Sequence, residues 1–351
     1  SSDVCSSDLA RLGVGDDAFS LGGGTRPQDF QLQMQVLAAY LTDPAWRPQP
    51  FERMRSYGVT LHDQLASTPG GVFGRDGDKL LHSGDPRWAF PTLAEIQAGK
   101  LEDVKSIVGG ALANGPIEVV VVGDIDVDTA IAQTAATFGA LPPRKGGEAP
   151  DAARQVKFPA PTAEAVRLTH RGRPDQAMGF VAWPTTDFPS DPQRARELRM
   201  LERVLQLRLI DEVREKEAVT YSPSTDLDTS WEFPGYGYLA ASIEAPQDKL
   251  PGFFTTVDGI AADLAATPVT ADELERAKKP RIEQIRKAQA TNEYWLGQLG
   301  GAQTDPRRLD AVRQAVSGLE KVTPADVQRA AKTYLKKDKA WRAVVVPEKT
   351  Q

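Results

Sequence analysis

Apolar residues recur along this chain with two spacings, and each spacing predicts a different kind of element. Phe30, Met34 and Leu37 lie three or four positions apart, which predicts a helix that ends near Thr42. By contrast, the run Ile117–Val122 is almost continuously apolar and rich in β-branched side chains, which is typical of a buried strand. The first half therefore reads as several helices followed by one clear strand.

The second half contains more strand patterns than the first. Strands are predicted near residues 165–170, 176–183, 220–226, 236–244 and 341–346. Helices are predicted over residues 192–215, 250–266 and 271–291, with further helices up to 335. Because runs of strands and runs of helices do not alternate strictly, the pattern favours an α+β fold with antiparallel sheets packed against helices.

The two halves end in the same order of motifs, which suggests a duplicated domain. Asp85-Pro86-Arg87 precedes Asp103-Val104 and the apolar strand, and Asp305-Pro306-Arg307 precedes Asp326-Val327 and a similar strand. A chance match stays open because these motifs are short. If the copies are homologous, the first has lost its opening strands and helix.

Proline and glycine between residues 139 and 163 mark the boundary between the halves. We predict a truncated first domain over residues 10–142, a linker over 143–153 and a complete second domain over 154–348. The opening SSDVCSSDL, residues 1–9, resembles a translated sequencing adapter and is interpreted as a non-native tail. We expect the chain to begin within a longer gene, so a missing targeting signal carries no weight.

Composition excludes some functional classes. A formal net charge of −6 argues against a nucleic-acid-binding protein, which usually carries a basic stripe. No apolar run approaches the length of a membrane span. The single cysteine, Cys5, allows neither an intrachain disulfide nor a cysteine-based zinc site.

The sequence offers no complete catalytic centre. The three histidines, His62, His82 and His170, have no acidic partner at metal-ligand spacing, and we expect each to lie at the surface or in a loop. There is no G-x-S-x-G motif and no usable cysteine nucleophile. We therefore predict no catalytic residue and no metal ligand in this chain.

Arg214 and Tyr221 lie seven residues apart where the long helix gives way to a strand. An arginine in the last helical turn and a tyrosine in a strand are each ordinary. Both side chains, however, can donate hydrogen bonds to a carbonyl oxygen. They could grip an extended peptide backbone or stabilise negative charge beside a scissile bond.

Two segments are similar to the pitrilysin/insulinase family of zinc metallopeptidases. GPIEVVVVGDIDVDTAIAQTAATFGALPPRK (115–145) resembles the end of one of its domains. LRLIDEVREKEAVTYSPS (207–224) resembles the family's L-R-E-K-x-x-x-x-Y junction, with Val213 replacing the leucine. The resemblance covers almost everything from about Ser20 to Pro347.

This resemblance implies a C-terminal half made of two homologous α+β domains. Arg214 and Tyr221 match the pair that contacts substrate near the cleaved bond. The zinc ligands of H-x-x-E-H match nothing here, so zinc and catalysis are expected in a missing N-terminal half, fused or separate. The closest subgroup, long bacterial single-chain peptidases, implies a peptide substrate and a periplasmic location.

The chain is thus interpreted as the substrate-binding half of a zinc metalloendopeptidase that closes around peptides and is inactive alone. The alternative is a non-catalytic structural or partner subunit of the same family. The presence of Arg214 and Tyr221 favours the first hypothesis. A nucleotide-binding fold, suggested by VVVVGD alone, lacks the glycine fingerprint.

Overall fold

The computed structural model describes residues 10–144, 151–217 and 223–348. Elements of the first part of the chain are β1 (Arg11–Val14), β2 (Phe19–Gly22), α1 (Phe30–Thr42), α2 (Pro48–Leu65), α3 (Pro69–Leu81), α4 (Leu93–Ala98), α5 (Leu101–Asn114) and α6 (Val127–Thr137). Those of the second part are β3 (Val166–His170), β4 (Ala177–Pro184), α7 (Pro192–Glu217), β5 (Ser224–Thr229), β6 (Gly237–Ala245), α8 (Leu250–Ala266), α9 (Ala271–Ala288), α10 (Asn292–Leu299), α11 (Arg307–Arg313), α12 (Ser317–Glu320), α13 (Pro324–Tyr334) and β7 (Trp341–Pro347).

The chain folds into two compact units that are interleaved along the sequence. Unit 1 comprises residues 1–56, 97–150 and 288–310, and unit 2 comprises residues 57–96, 151–287 and 311–351. These units differ from the contiguous domains predicted over 10–142 and 154–348, because residues 57–96 pack with unit 2. The predicted domain boundaries and the linker over residues 143–153 stay a prediction.

Unit 2 is built around a five-stranded sheet with the order β3-β7-β4-β6-β5. Its neighbouring strands are antiparallel except β3 and β7, which run parallel. This arrangement confirms the α+β class, and the one parallel pair makes the sheet mixed.

Successive side chains along each strand point to opposite faces of this sheet. On β4, Val181 and Trp183 join the large core that α7, α8 and α13 complete. Phe180 and Ala182 point to the other face, where they pack with Phe73 and other residues of α3. The sheet of unit 2 is therefore covered by helices on both sides.

Two of the histidines expected at the surface or in a loop are buried in unit 2. The expectation was wrong for His170, which ends strand β3, whereas His82 does lie in the turn after α3. His170 Nδ1 accepts a hydrogen bond from the Gly172 amide (3.1 Å), and its Nε2 donates to the Gln176 carbonyl (2.8 Å). The His82 ring stacks between Trp88 and Tyr236, with centroids 4.0 and 4.8 Å away. Hydrogen-bonded and stacked in this way, imidazole rings can be buried without a metal.

Unit 1 contains a two-stranded antiparallel hairpin, β1-β2, and a small apolar cluster centred on Leu41, Val108 and Leu112. The helix predicted to end near Thr42 is present as α1, and Asp126 caps α6 by accepting a hydrogen bond from the Thr129 amide (2.9 Å). Ile117–Val122 was predicted to be a strand, but these residues pair with no strand among the described residues. A strand forms only where a neighbour supplies hydrogen bonds, and residue patterns do not reveal whether that neighbour exists.

Candidate functional site

The junction between α7 and β5 holds the two candidate substrate-binding positions. Position 214 lies near the C-terminal end of α7, but the Arg214 side chain is outside the described residues. Tyr221 also lies outside them, between Glu217 and Pro223. The structure therefore does not test whether these side chains meet, and their pairing stays a prediction. What it does describe is how both ends of the junction are fixed.

Helix α7 is anchored by a row of fully or almost fully buried apolar side chains. Leu198, Leu205, Leu209 and Val213 belong to the large core of unit 2, and the row continues to the residue before position 214. Because each of these side chains contributes about 1.5–3 kcal/mol when buried, the last turns of α7 are held firmly in place.

The returning chain is tied to α7 by side-chain hydrogen bonds. Gln206 Nε2 donates to the carbonyl oxygen of Pro223 (2.9 Å), two residues after position 221. Thr225 Oγ1 lies 2.6 Å from Glu202 Oε1 and 2.9 Å from Gln206 Oε1. Its single hydroxyl proton favours the shorter, charge-assisted bond to the carboxylate. We call Glu202, Gln206 and Thr225 the seam.

An arginine extends the seam along the edge strand β5. Arg199 Nη2 donates to the Leu227 carbonyl (3.1 Å), and its Nη1 lies 3.4 Å from Glu202 Oε2. The Glu202 side chain is 2% exposed, and Arg203 Nε also lies 3.3 Å from its carboxylate. A buried carboxylate needs such cations and donors, because an unpaired charge in the interior is costly.

Sequence reasoning missed the seam, although a signal for it was present. Glu202 and Gln206 follow Leu198 at intervals of four, so they lie on the apolar stripe of α7. A polar residue within such a stripe usually has a hydrogen-bond partner in the interior. The residue that supplies this partner, Thr225, could not be identified without the fold.

A second polar cluster fixes α7 to α8 and α9. Arg208 makes a bidentate contact with Glu273, at 2.6 Å from Nε to Oε1 and 3.1 Å from Nη2 to Oε2, and it also pairs with Asp263. The hydrogen bonds from Arg208 lower the pKa of Glu273, and burial opposes them. Six residues before position 214, Arg208 stabilises the segment of α7 that leads to the junction.

The described residues do not offer a zinc site. No group of three or more His, Cys, Asp or Glu side chains in the described parts of the chain could hold a metal ion. Both ring nitrogens of His170 are engaged with backbone groups. The donor set that catalytic zinc requires, three protein ligands around an open position, does not fit here.

No helix in the described ranges is long and apolar enough to cross a bilayer.

Comparison with known proteins points to one family. The sequence model described as "Peptidase M16 inactive domain" matches residues 102–280, just over half of the chain. The chloroplastic stromal processing peptidase of Arabidopsis thaliana is 22% identical over 357 residues, which cover 87% of this chain and 28% of that protein. The chain thus spans less than a third of this curated relative.

Solved structures share the fold at low sequence identity. The periplasmic protease PqqL of Escherichia coli superposes with a TM-score of 0.76 at 14% identity, covering 97% of this chain and 37% of PqqL. The ferredoxin protease FusC, crystallised with Arabidopsis ferredoxin, gives a TM-score of 0.73 at 15% identity, covering 98% and 37% of the two chains.

Proposed function

Since the chain belongs to the peptidase M16 inactive-domain family, we propose that it is the substrate-binding half of a zinc metalloendopeptidase that hydrolyses peptides in a closed chamber. The family match carries this proposal, because it identifies a non-catalytic, peptidase-like domain. The zinc ion and its ligands belong to a catalytic N-terminal half, on the same polypeptide or a separate subunit. Low coverage of PqqL and FusC, 37% of each, agrees with a chain that is one part of a larger enzyme.

In this proposal Arg214 and Tyr221 bind the backbone of the substrate. A guanidinium fork and a phenolic hydroxyl both donate hydrogen bonds, and an extended peptide presents carbonyl oxygens that accept them. The anchored end of α7 and the seam that holds Pro223 support this role, since a donor stabilises a transition state best when it is held in place.

The partners and the location are proposed by analogy with related proteins. FusC was crystallised with a protein, ferredoxin, which supports polypeptides as the substrate class. PqqL is described as periplasmic, and the resemblance to exported bacterial peptidases favours the same compartment for this chain. Neither a nucleic-acid partner nor a membrane span is part of the proposal.

A conservative substitution in the complete enzyme tests the proposal. Tyr221→Phe removes one hydroxyl donor, so kcat/KM should fall by about 100- to 1,000-fold with the melting temperature unchanged. Tyr40→Phe, at an exposed position of unit 1, is the matched control and should leave kcat/KM intact. An unchanged kcat/KM in Tyr221→Phe would remove the proposed role and favour the alternative, a structural or partner subunit.

Metal analysis gives a second test, on the isolated chain. We expect no stoichiometric zinc after purification in zinc-containing buffer, and no cleavage of a fluorescent peptide. One tightly bound zinc per chain would contradict the assignment of the metal site to another half.

A further inference from the structure

Helix α7 carries a buried arginine near its N-terminal end, in unit 2. Arg196 is the fifth residue of α7, and only 6% of its surface is exposed. Burial lowers the pKa of Arg196, and among the described residues no carboxylate lies close enough to raise it. Charged groups in a protein interior are usually paired, because removing an unpaired charge from water is costly. Arg196 is thus a buried cation without the usual compensation.

The carboxylates that lie nearest to Arg196 in the sequence bind other groups. Asp187 accepts hydrogen bonds from the backbone amide and the hydroxyl of the serine three residues later (2.6 and 2.8 Å). Asp191 caps α7 by accepting from the amide three residues later (2.9 Å). Glu197 pairs with Arg329 (2.8 Å) and with a second arginine of α7. Each carboxylate is therefore held by its own donors, and none of them neutralises Arg196.

The contacts that Arg196 does make leave most of its donors available. Its Nη2 lies 3.5 Å from the Ala311 carbonyl oxygen, which is long for a hydrogen bond. Its Cζ lies 5.7 Å from the centre of the Phe188 ring, within the range of a cation–π contact. A guanidinium group has five N–H donors, and within the described chain these contacts engage one of them at most. A bound anion would satisfy the others.

The surroundings of Arg196 combine backbone and aromatic surface. A Cβ at Gly318 would lie 2.5 Å from both Cδ and Nε of Arg196, so the side chain packs directly against the backbone there. Gln193 Nε2 donates to the Gly318 carbonyl oxygen (3.1 Å) and ties this backbone to α7. Phe188 stacks on Trp231 with centroids 5.1 Å apart, and both rings are partly buried. The guanidinium group is therefore held beside an aromatic pair that solvent still reaches.

We propose that Arg196 binds the carboxylate of an organic anion whose apolar part contacts Phe188 and Trp231. Carboxylate oxygens match the guanidinium fork, which can donate two parallel hydrogen bonds to them. A singly charged carboxylate suits this site better than a doubly charged phosphate, because one guanidinium neutralises one negative charge and a second would stay unpaired in the interior. The C-terminal carboxylate of a peptide and a free carboxylic acid share this chemistry.

This carboxylate site is separate from the candidate substrate-binding junction. Position 214 lies near the other end of α7, about 27 Å away at 1.5 Å per residue. The site therefore goes beyond the proposed function and does not depend on it. The competing interpretation is that Arg196 only supports the fold, through its contacts with Ala311 and Phe188.

The test measures binding of model carboxylates to this chain by titration calorimetry and thermal unfolding. At ten times its measured Kd, 3-phenylpropionate should raise the melting temperature by about 3–6 °C, whereas the uncharged 3-phenylpropionamide should not. N-acetylphenylalanine represents a peptide C-terminus, and the acid with the lower Kd identifies the source of the carboxylate.

Two variants assign the binding to Arg196. Without ligand, Arg196→Met should melt at the same or a higher temperature than the parent, because it removes an unpaired buried charge, and it should lose the shift caused by 3-phenylpropionate. Arg167→Met changes an exposed arginine of β3 and should retain that shift.

Several outcomes would overturn the proposal. One is that neither carboxylate binds the parent chain, which needs no variant to establish. Another is an equal shift with 3-phenylpropionamide, because the charge would then be irrelevant. A shift that persists in Arg196→Met would place the binding elsewhere. A larger shift with inorganic phosphate than with either carboxylate would contradict the assigned ligand class. A ligand-free Arg196→Met that melts well below the parent would support the purely structural role.

Discussion

Unit 1 and unit 2 bury their apolar side chains to very different extents. Only six described apolar residues of unit 1 are buried, although eleven of the thirteen exposed large apolar side chains in the described ranges lie there. In unit 2 both faces of the sheet are covered, and its core extends over three long helices. Similar elements in similar order therefore do not give equal burial, because burial depends on whether each apolar face has a neighbour.

The largest expected effect on stability comes from placing a negative charge at equivalent positions of unit 1 and unit 2. Val327→Asp buries a carboxylate in the core of unit 2 and should lower its free energy of unfolding by about 4 kcal/mol or more. Val104→Asp, at the equivalent but exposed position of unit 1, should change stability by no more than about 0.5 kcal/mol. Urea unfolding followed by hydrogen exchange would separate the two units. Similar losses would contradict the contrast between them.

Replacing a glycine with alanine should change stability in opposite directions at two positions. A Cβ at Gly172 would lie 1.9 Å from the Ser67 carbonyl, so Gly172→Ala should destabilise unit 2 by about 1–3 kcal/mol. A Cβ at Gly110, within α5, would meet nothing within 4 Å, and Gly110→Ala should stabilise unit 1 by up to about 1 kcal/mol. Thermal unfolding of the two variants measures both effects. A neutral Gly172→Ala would show that Ser67 moves aside freely.

The described residues of unit 1 contain no counterpart of the seam in unit 2. Thr225→Val keeps the shape of the side chain and removes the hydroxyl, so unit 2 should lose about 1–2 kcal/mol in urea unfolding. Thr225→Ser retains the hydrogen bond to Glu202 and should lose much less. Equal losses in both variants would assign the effect to the methyl group instead.

Acid should weaken unit 2 through the Arg208–Glu273 pair, and this is the smallest expected effect. The folded pKa of Glu273 is lowered by Arg208, so the pair stabilises the fold above the unfolded value near 4.3. That contribution disappears as the pH falls through the folded pKa. Glu273→Gln should therefore be less stable than the parent at pH 7, and the difference should shrink below about pH 4. A constant difference across this range would rule out the linkage.

Local patterns predicted much of this structure. The helix from Phe30 and the closing strand near 341–346 depend on residues close in sequence, and both are present. At both Asp103 and Asp326, the two aspartates of the suggested repeat, the carboxylate accepts a hydrogen bond from the backbone amide three residues earlier. Such features are visible in a sequence because neighbouring residues determine them.

The features that the sequence did not predict correctly depend on contacts between residues that are distant in sequence. Ile117–Val122 has the composition of a strand and no ladder, because the described residues place no strand beside it. His170 was expected at the surface or in a loop, but it is buried and both of its ring nitrogens form hydrogen bonds with backbone groups. Thr225 lies nineteen residues from Gln206, and no local pattern links them. For Arg214 and Tyr221, the family resemblance remains the basis of the assignment.

The interleaving of the two units has a practical consequence for dividing the gene. The chain passes from one unit to the other five times, so no single cut separates them. A break at residue 150 would leave residues 57–96 on the first fragment without their sheet. It would leave residues 288–310 on the second fragment without the rest of unit 1. Two such fragments should be poorly soluble when expressed alone and should recover a native-like fold when coexpressed.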